Sequence, residues 1–366
     1  MLILIILVFC EKKPQKVQKW IFGNYIFVST KSYYLCYMKS NNIGNTSLIE
    51  ITTTFATKEF CLAHIAKKRW PDGNVICPLC NYPKAYVIKN KGYKCADCRK
   101  EFSAVKGTIF ENSAVPLQKW FIAIYLHSSH KKGISSCQLA KDLKVTQKTA
   151  WFMLGRIRFM LESGKFEHAE GAIIEIDETF VGGKEKNKHQ QGTRDEDKMI
   201  RRKVKPNTKA VVGGILERGG QVTAKVLPNV QSKTLIPFIK ENVKPYSDIM
   251  SDEHVGYSAL GDEGFLHQTV AHQKYEYVRG NVHTNGIENF WSGFKRGIYG
   301  VYHHCSPKHL DKYVDEFEFR FNTRKLNEGQ RFEKALSLIG RRLTYAALIA
   351  DNGKDANPFF KFRPEL

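Results

Sequence analysis

The stretch AIIEIDETFVGG (172–183) decides the fold. Its β-branched run from Ile173 to Val181 ends in two glycines and reads as a strand. Asp177 lies toward the end of that run. Side chains alternate along a strand, so Asp177 shares a side with Glu175, while Ile174, Ile176 and Glu178 take the other. Only one of Asp177 and Glu178 can then face a given site. The pattern prefers Asp177 and leaves Glu178 open.

The flanks of this strand set its class. KEKNKHQQGTRDEDKMIRRKVKPNTK (184–209) is charged, nearly without apolar residues, and reads as a mobile loop. KAVVGGILERGGQVTAKVLPNV (209–230) places two apolar runs around Arg218-Gly219-Gly220, a hairpin signal. SKTLIPFIKENV (232–243) reads as a helix and DIMSD (248–252) as a short strand. NGIENFWSGFKRGIYG (285–300) reads as a helix, followed by another over about 308–325. An early hairpin followed by alternating elements predicts a mixed α/β domain with helices against a sheet.

This region carries an acidic set. Asp252 follows the apolar pair Ile249-Met250, and Glu288 lies early in a predicted helix, with 35 residues between them. Lys295 is two helical turns beyond Glu288 and on its face. Phosphodiester hydrolysis and strand transfer are in-line displacements at phosphorus, which two divalent metals about 4 Å apart assist. Mg²⁺ takes a few carboxylate oxygens and keeps water or substrate on its other positions. Three carboxylates from separate elements meet that need, and a lysine beside them can hold a phosphate. Glu253 adjoins Asp252 as Glu178 adjoins Asp177, and the chain has 36 acidic residues in all, so spacing alone leaves these alternatives open.

Upstream, Cys77-Pro78-Leu79-Cys80 and Cys95-Ala96-Asp97-Cys98 stand 14 residues apart. Two CxxC pairs at this spacing predict a structural zinc site, because four thiolates complete a tetrahedral shell. Tyr86-Val87-Ile88 and Tyr93-Lys94 flank Lys91-Gly92 and suggest a hairpin between the pairs, hence a zinc ribbon. Lys84, Lys89, Lys91, Lys94 and Arg99, interleaved with Tyr82, Tyr86 and Tyr93, suit phosphate contact. Cys61, Cys137 and Cys305 read as core or surface thiols. Between the ribbon and the strand, Leu139, Ala140, Leu143, Val145, Ala150, Trp151 and Leu154 outline two short amphipathic helices broken at 143–146. Thr146 can cap the second, which would carry Gln147, Lys148, Thr149, then Arg156 and Arg158, and the polar residues at its start could reach base edges, as in the second helix of a helix-turn-helix. A plain helical bundle gives the same periodicity.

Composition agrees with a nucleic-acid partner. The 366 residues include 57 Lys plus Arg against 36 Asp plus Glu, a formal charge of +21. Such a balance favours a polyanion, DNA before an anionic membrane. Nine cysteines, an odd number with four in CxxC pairs, favour metal over disulfides and a reducing compartment. The opening MLILIILVFC lacks a basic n-region and is too short to span a bilayer. With every motif beyond residue 60, we expect translation to begin in effect at Met38, against the competing reading of a signal anchor. N-terminal sequencing of the natural product should find Met38, and a product starting at Met1 would sink the idea. The expected organisation is a poorly structured leader (1–54), a zinc ribbon (55–106), a helical DNA-binding segment (107–168), a catalytic domain (169–345) and a tail (346–366).

The quoted motifs resemble a family. From about 55 to 340 the chain is similar to bacterial insertion-sequence transposases that carry a zinc ribbon before an ISXO-like DDE domain. The resemblance rests on CPLC…YKCADCRKEFSAVKGTIFENS, GISSCQLAKDLKVTQKTAW, IDETFVGGK, SDEHVGY and HTNGIENFWSGFKRGIYGVYHHCSPKHLDKYVDEFEFRFNTR. It implies a ribonuclease-H-like fold, Mg²⁺ or Mn²⁺ dependence, and cutting and joining of DNA at the ends of a mobile element. It also selects Asp177 over Glu178 and Asp252 over Glu253. At the third acidic position relatives vary and can place Asn or His. Glu288 fits by its spacing to Lys295, with His283, Asn285 and Asn289 as neighbours that could assist or substitute. Trp291 on the Glu288 helix could stack on a flipped base or pack in the core. The implied partners are element-end and target DNA, with a homo-oligomer in the synaptic complex and no membrane. The implied setting is the cytoplasm, at the nucleoid. A non-catalytic DNA-binding regulator and a ribonuclease-H-like nuclease are the competing classes.

Overall fold

The computed structural model describes residues 18–22, 25–30, 33–38, 46–88, 92–162, 171–183, 209–270 and 278–350. They fall in two units, Met1–Gly44 and Asn45–Leu366. The first falls within the segment expected as a poorly structured leader, and 18–22, 25–30 and 33–38 of this unit are described. It holds β1 (Gln18–Phe22), β2 (Tyr25–Thr30) and β3 (Tyr33–Met38), paired antiparallel in that order. Aromatic and β-branched residues dominate these segments, and Gly23-Asn24 between the first two is a hairpin dipeptide. The leader's last residues belong to the second unit. There α1 (Leu48–Thr54) starts at a Ser47–Glu50 capping box and buries Ile51.

A helical layer follows, built from α2 (Lys58–Arg69), α3 (Leu117–Ser129), α4 (Ser136–Leu143) and α5 (Gln147–Leu161). The small sheet of β4 (Ala85–Ile88), β5 (Gly92–Cys95) and β6 (Glu101–Phe102) packs into the same core. Cys77, Cys95 and Phe102 share it with Ile109, Trp120 and Phe121. The segments expected as a separate ribbon and helical region therefore share one interior. Lys89 and Lys91, and the expected mobile loop over 184–208, lie outside the described residues.

The mixed sheet contains β7 (Ile173–Val181), β8 (Ala210–Glu217), β9 (Val222–Leu227), β10 (Asp248–Asp252) and β11 (Leu266–Val270). Its order is β11-β10-β7-β8-β9. β7, β8 and β9 are antiparallel neighbours, while β10 runs parallel to both β7 and β11. This is the ribonuclease-H-like mixed sheet that the sequence led us to expect, and 172–183 forms its central strand. On one face, Ile174, Ile176, Ile215 and Leu227 pack against Leu235, Phe238 and Ile239 of α6 (Ser232–Asn242). On the other, Val181, Val212, Leu216 and Val222 meet α7 (Asn285–Gly297) and α8 (Leu310–Asn322) through Ile287, Phe290, Trp291, Val314 and Phe317. Gly213 and Gly214 allow this close approach. A Cβ at Gly213 would lie 3.3 Å from Phe238 of α6, and one at Gly214 2.6 Å from Trp291 of α7. The chain then returns through α9 (Glu328–Ser337) to the helical core. The expected tail is also corrected at its start. Tyr345–Ile349 is a helix, α10, whose Leu348 packs against Phe159 and leaves no room for a side chain at Gly155.

The helical layer and the sheet layer are joined by one buried acid. Glu316 of α8 is fully buried. It accepts from Arg158 Nε of α5 at 2.7 Å, from Arg320 at 2.7 Å and from the Tyr302 hydroxyl at 2.5 Å. His127 Nε2 of α3 lies 3.3 Å away. Burial would raise this carboxyl, but His127, Arg158 and Arg320 hold it well below the usual range. Burial pushes His127 the other way, down to about 4. Removing one partner of such a buried set leaves an uncompensated charge, so Glu316→Gln should cost about 3–5 kcal/mol of stability. Both groups have depressed folded-state values. Glu316 contributes stability above its unfolded pKa that is lost as pH falls, and the unfolded chain gains a proton on His127 that the fold refuses. Thermal melts should therefore show stability falling as pH drops from about 6.5 toward 4. A flat profile over that window would count against this network.

Candidate active site and zinc ribbon

The β7–β10 ladder brings two of the expected carboxylates side by side. Its printed pairs are Asp248 with Ile173, Ile249 with Ile174 and Met250 with Glu175. Two residues further along each strand stand Asp252 and Asp177, on the same side of the sheet. Ligand sites of open α/β sheets favour this location, outside the carboxyl ends of parallel strands. Asp177 Oδ1 accepts from the Glu178 amide at 2.8 Å, and Asp252 Oδ1 from the His254 amide at 3.0 Å. Burial, then the nearby Glu178 and Asp252 and more weakly Glu288, push the Asp177 carboxyl up to about 7. Keeping this buried group charged at neutral pH therefore costs on the order of 4 kcal/mol, which a nearby cation would offset.

Glu178 points to the opposite face, as strand alternation requires. Its carboxylate accepts a hydrogen bond from the Tyr257 hydroxyl, and His254 Nδ1 lies 3.8 Å away. Burial raises the Glu178 carboxyl, and Asp252 adds to the effect. Glu253, the other neighbour left open by spacing, is exposed. Tyr257 and His254 had no role in the sequence reading. The SDEHVGY stretch held both, but only the turn Val255–Tyr257 folds Tyr257 back under β7.

Glu288 is reached across a layer. It sits in the first turn of α7, exposed, and accepts from the Thr284 hydroxyl at 3.1 Å. Lys295 is exposed in the last turn of the same helix. α7 lies close to Asp177 because Gly214, the cross-strand partner of Asp177, has no side chain to displace Trp291. Trp291 is thus buried against the sheet, and the stacking role on a flipped base is set aside. Asn285 and Asn289 are exposed, whereas His283 turns inward toward Glu175 and Arg218. The three carboxylates form a looser group than the cysteines. Among the described residues, the cysteine tetrad is the set of three or more potential ligands whose donor atoms all lie within 4.8 Å of one another.

In the tetrad, Cys77 and Cys98 sulfurs are 3.8 Å apart and those of Cys80 and Cys95 3.5 Å. Zinc with four sulfurs at 2.3 Å needs sulfur–sulfur distances of about 3.8 Å, so the donor set fits zinc. The two knuckles have the same backbone. Cys77 N donates to Tyr82 O and Cys95 N to Lys100 O, and the residues after the pairs, Asn81 and Arg99, have φ of 60° and 58°. The left-handed turn aims successive amides at the sulfurs, and Leu79 N reaches Cys77 Sγ at 3.4 Å.

These features have counterparts in known proteins. Residues 168–322 match the ISXO2-like transposase domain, and residues 56–101 match the transposase zinc-ribbon domain. A transposase-like protein of Haemophilus influenzae is 35% identical over 106 residues, covering 29% of this chain and 85% of that protein. A protein in the transposable element ISH50 of Halobacterium salinarum is 28% identical over 277 residues, covering 73% of this chain and 92% of its own length. The chain belongs to the ISXO2-like transposase family.

The helix pair of this transposase is partly as expected. α4 and α5 are joined through Lys144, in the left-handed conformation, and Thr146 caps α5 by accepting from Thr149 N. Gln147 and Lys148 are exposed at the start of α5. Arg156 and Arg158 are not available to DNA there. Both are buried, Arg156 on the carbonyls of Ile109, Glu111 and Leu343, and Arg158 on Glu316. The helix is buried on every side from Met153 to Leu161, so a basic residue in that half finds its partner in the core rather than at the surface. Metal analysis of the purified transposase should find one zinc per chain, lost on Cys95→Ser with collapse of hydrogen-exchange protection over 75–105. Full protection without zinc would overturn the ribbon assignment.

Proposed function

We propose that this transposase cuts and rejoins DNA at the ends of its element, with Asp177, Asp252 and Glu288 holding catalytic Mg²⁺ or Mn²⁺. The observation that carries the reading is the pairing of Asp177 and Asp252 at the end of the β7–β10 ladder, with the Asp177 carboxyl pushed up to about 7. Such crowding of acids has a purpose if cations are to be held there. The wider spacing of the three acids suits Mg²⁺, which keeps several waters and takes few carboxylates. When bound, the ions would lower the cost of negative charge on the attacking and leaving oxygens. The protein's own groups orient the DNA. Lys295, two turns along α7 from Glu288, offers an ammonium to a backbone phosphate. In the first reaction a water oxygen bonds phosphorus as the 3′ oxygen leaves. In the second, that 3′ hydroxyl attacks a target phosphodiester. One P–O bond forms for each one broken, so no external energy source is needed.

The remaining parts supply DNA recognition. Gln147, Lys148 and Thr149 at the start of α5, and the ribbon's Lys84, Tyr86 and Lys94, are the proposed contacts with element ends. Synapsis of two ends calls for a homo-oligomer. Among the described residues no helix is long and apolar enough to cross a membrane, and the proposed place of action is the cytoplasm, at the nucleoid. A pure regulator would need no acidic pair at the sheet end, and a general nuclease would need no end-reading modules. Asp177→Asn or Asp252→Asn should abolish cleavage and strand transfer on element-end DNA, by at least about a hundredfold, with binding in a gel-shift assay retained. Glu288→Gln should act likewise. Retained cleavage in either aspartate variant would refute the assignment.

A further inference from the structure

We propose that Glu175 is the positioning residue of this site, a buried carboxylate on the Asp177 strand that caps the Glu288 helix and so sets the two acids relative to each other. The inference rests on the metal-holding reading above and deepens it. Glu175 is 1% exposed. It precedes Asp177 by two residues on β7 and shares its face. Its Oε2 accepts from the Ile287 amide at 3.0 Å, and Ile287 directly precedes Glu288. That amide is one of the donors that a helix start leaves without an intrahelical partner. The helix's own cap residue, Thr284, makes no side-chain cap hydrogen bond. Its hydroxyl goes instead to Glu288. The cap is therefore supplied from another layer, and it is anionic, as the positive end of a helix dipole favours.

The other oxygen is held as firmly. Glu175 Oε1 accepts from Arg218 Nε at 2.9 Å, with His283 Nδ1 at 3.4 Å. Arg218 lies at the β8–β9 turn. It also donates to the carbonyls of Asn281 at 2.9 Å and His283 at 3.0 Å, just before α7. Its own amide donates to Ile173 O on β7 at 2.9 Å. Two side chains thus tie the approach of α7 to the central strand. Gly286 completes the fit, because a Cβ there would lie 2.7 Å from Glu175 Oε2. A surface salt bridge would need neither this burial nor this clearance.

The test uses the full chain with zinc in the ribbon. Glu175→Gln keeps an acceptor but loses the charge. Arg218→Gln, at a partly exposed position, guards against a misfolded Glu175 variant. Glu316→Gln is the control, since it breaks a buried carboxylate network remote from the α7 start. Two properties are read without DNA: hydrogen exchange of amides 285–290, and Mn²⁺ binding by electron paramagnetic resonance. In both site variants exchange should quicken at least tenfold and Mn²⁺ affinity should fall about tenfold, as when partners behind metal ligands are lost. The control should move neither. Site variants that behave like Glu316→Gln would overturn the proposal. If wild type and Asp177→Asn bind Mn²⁺ equally, the metal-holding reading fails. The exchange data then still decide whether Glu175 caps α7.

Discussion

Two carboxylates forced together at the end of a parallel ladder are the constraint on which this structure turns. Asp177 and Asp252 each stand two residues beyond the last pair of the β7–β10 ladder, with Glu178 close enough to act on Asp177. Their repulsion, and the burial of Asp177, work against the fold at its central strand. A structure that keeps such a pair must offset it elsewhere. The offset comes from tight packing on both faces of the sheet. Gly213 and Gly214 let helices approach as side chains would not, and Ile174, Ile176 and Ile215 bury fully beneath α6.

Polar groups reinforce the same arrangement from three directions. Tyr257 occupies Glu178, so the second acid of the Asp-Glu pair is engaged on the far face. Arg218 and Glu175 fasten the start of α7 to β7. Glu316 joins α8 to α3 and α5 through Arg158, Arg320, Tyr302 and His127. Each acid takes at least one donor from another element, which makes these networks specific to one packing arrangement. The last of them couples the layer bearing the helix pair to the layer bearing the acids. On the proposed function, the helix pair that reads DNA and the acids that cut it would need a defined separation, and a buried ionic junction suits that need.

Much of this was legible along the chain. The apolar run ending at Asp177, the hairpin around Arg218-Gly219-Gly220 and the amphipathic 285–297 segment each carry a local period that survives folding. The CxxC spacing is likewise a local geometric demand, and the cysteines meet at zinc distances. Charge was a poorer guide. Arg156 and Arg158, carried on the expected recognition helix, are core groups, because a basic residue in one dimension carries no mark of which neighbour will neutralise it. The strands within 18–38 gave no period to read, since their aromatic and apolar residues do not alternate with polar ones.

The sequence by itself determined the main elements of the mixed sheet, the cysteine pairs and the family motifs, because these depend on residue type and short spacing. Tertiary structure alone decided which acids meet. Alternation on β7 allowed either Asp177 or Glu178 to face the site. The parallel pairing with β10 put Asp252 beside Asp177, and Tyr257, 79 residues away, took Glu178. Glu175 read as one more charge in an apolar strand. Its partners, Arg218 and the Ile287 amide, lie 43 and 112 residues away. Contacts across such separations are set by how layers close on each other, and no local period records them.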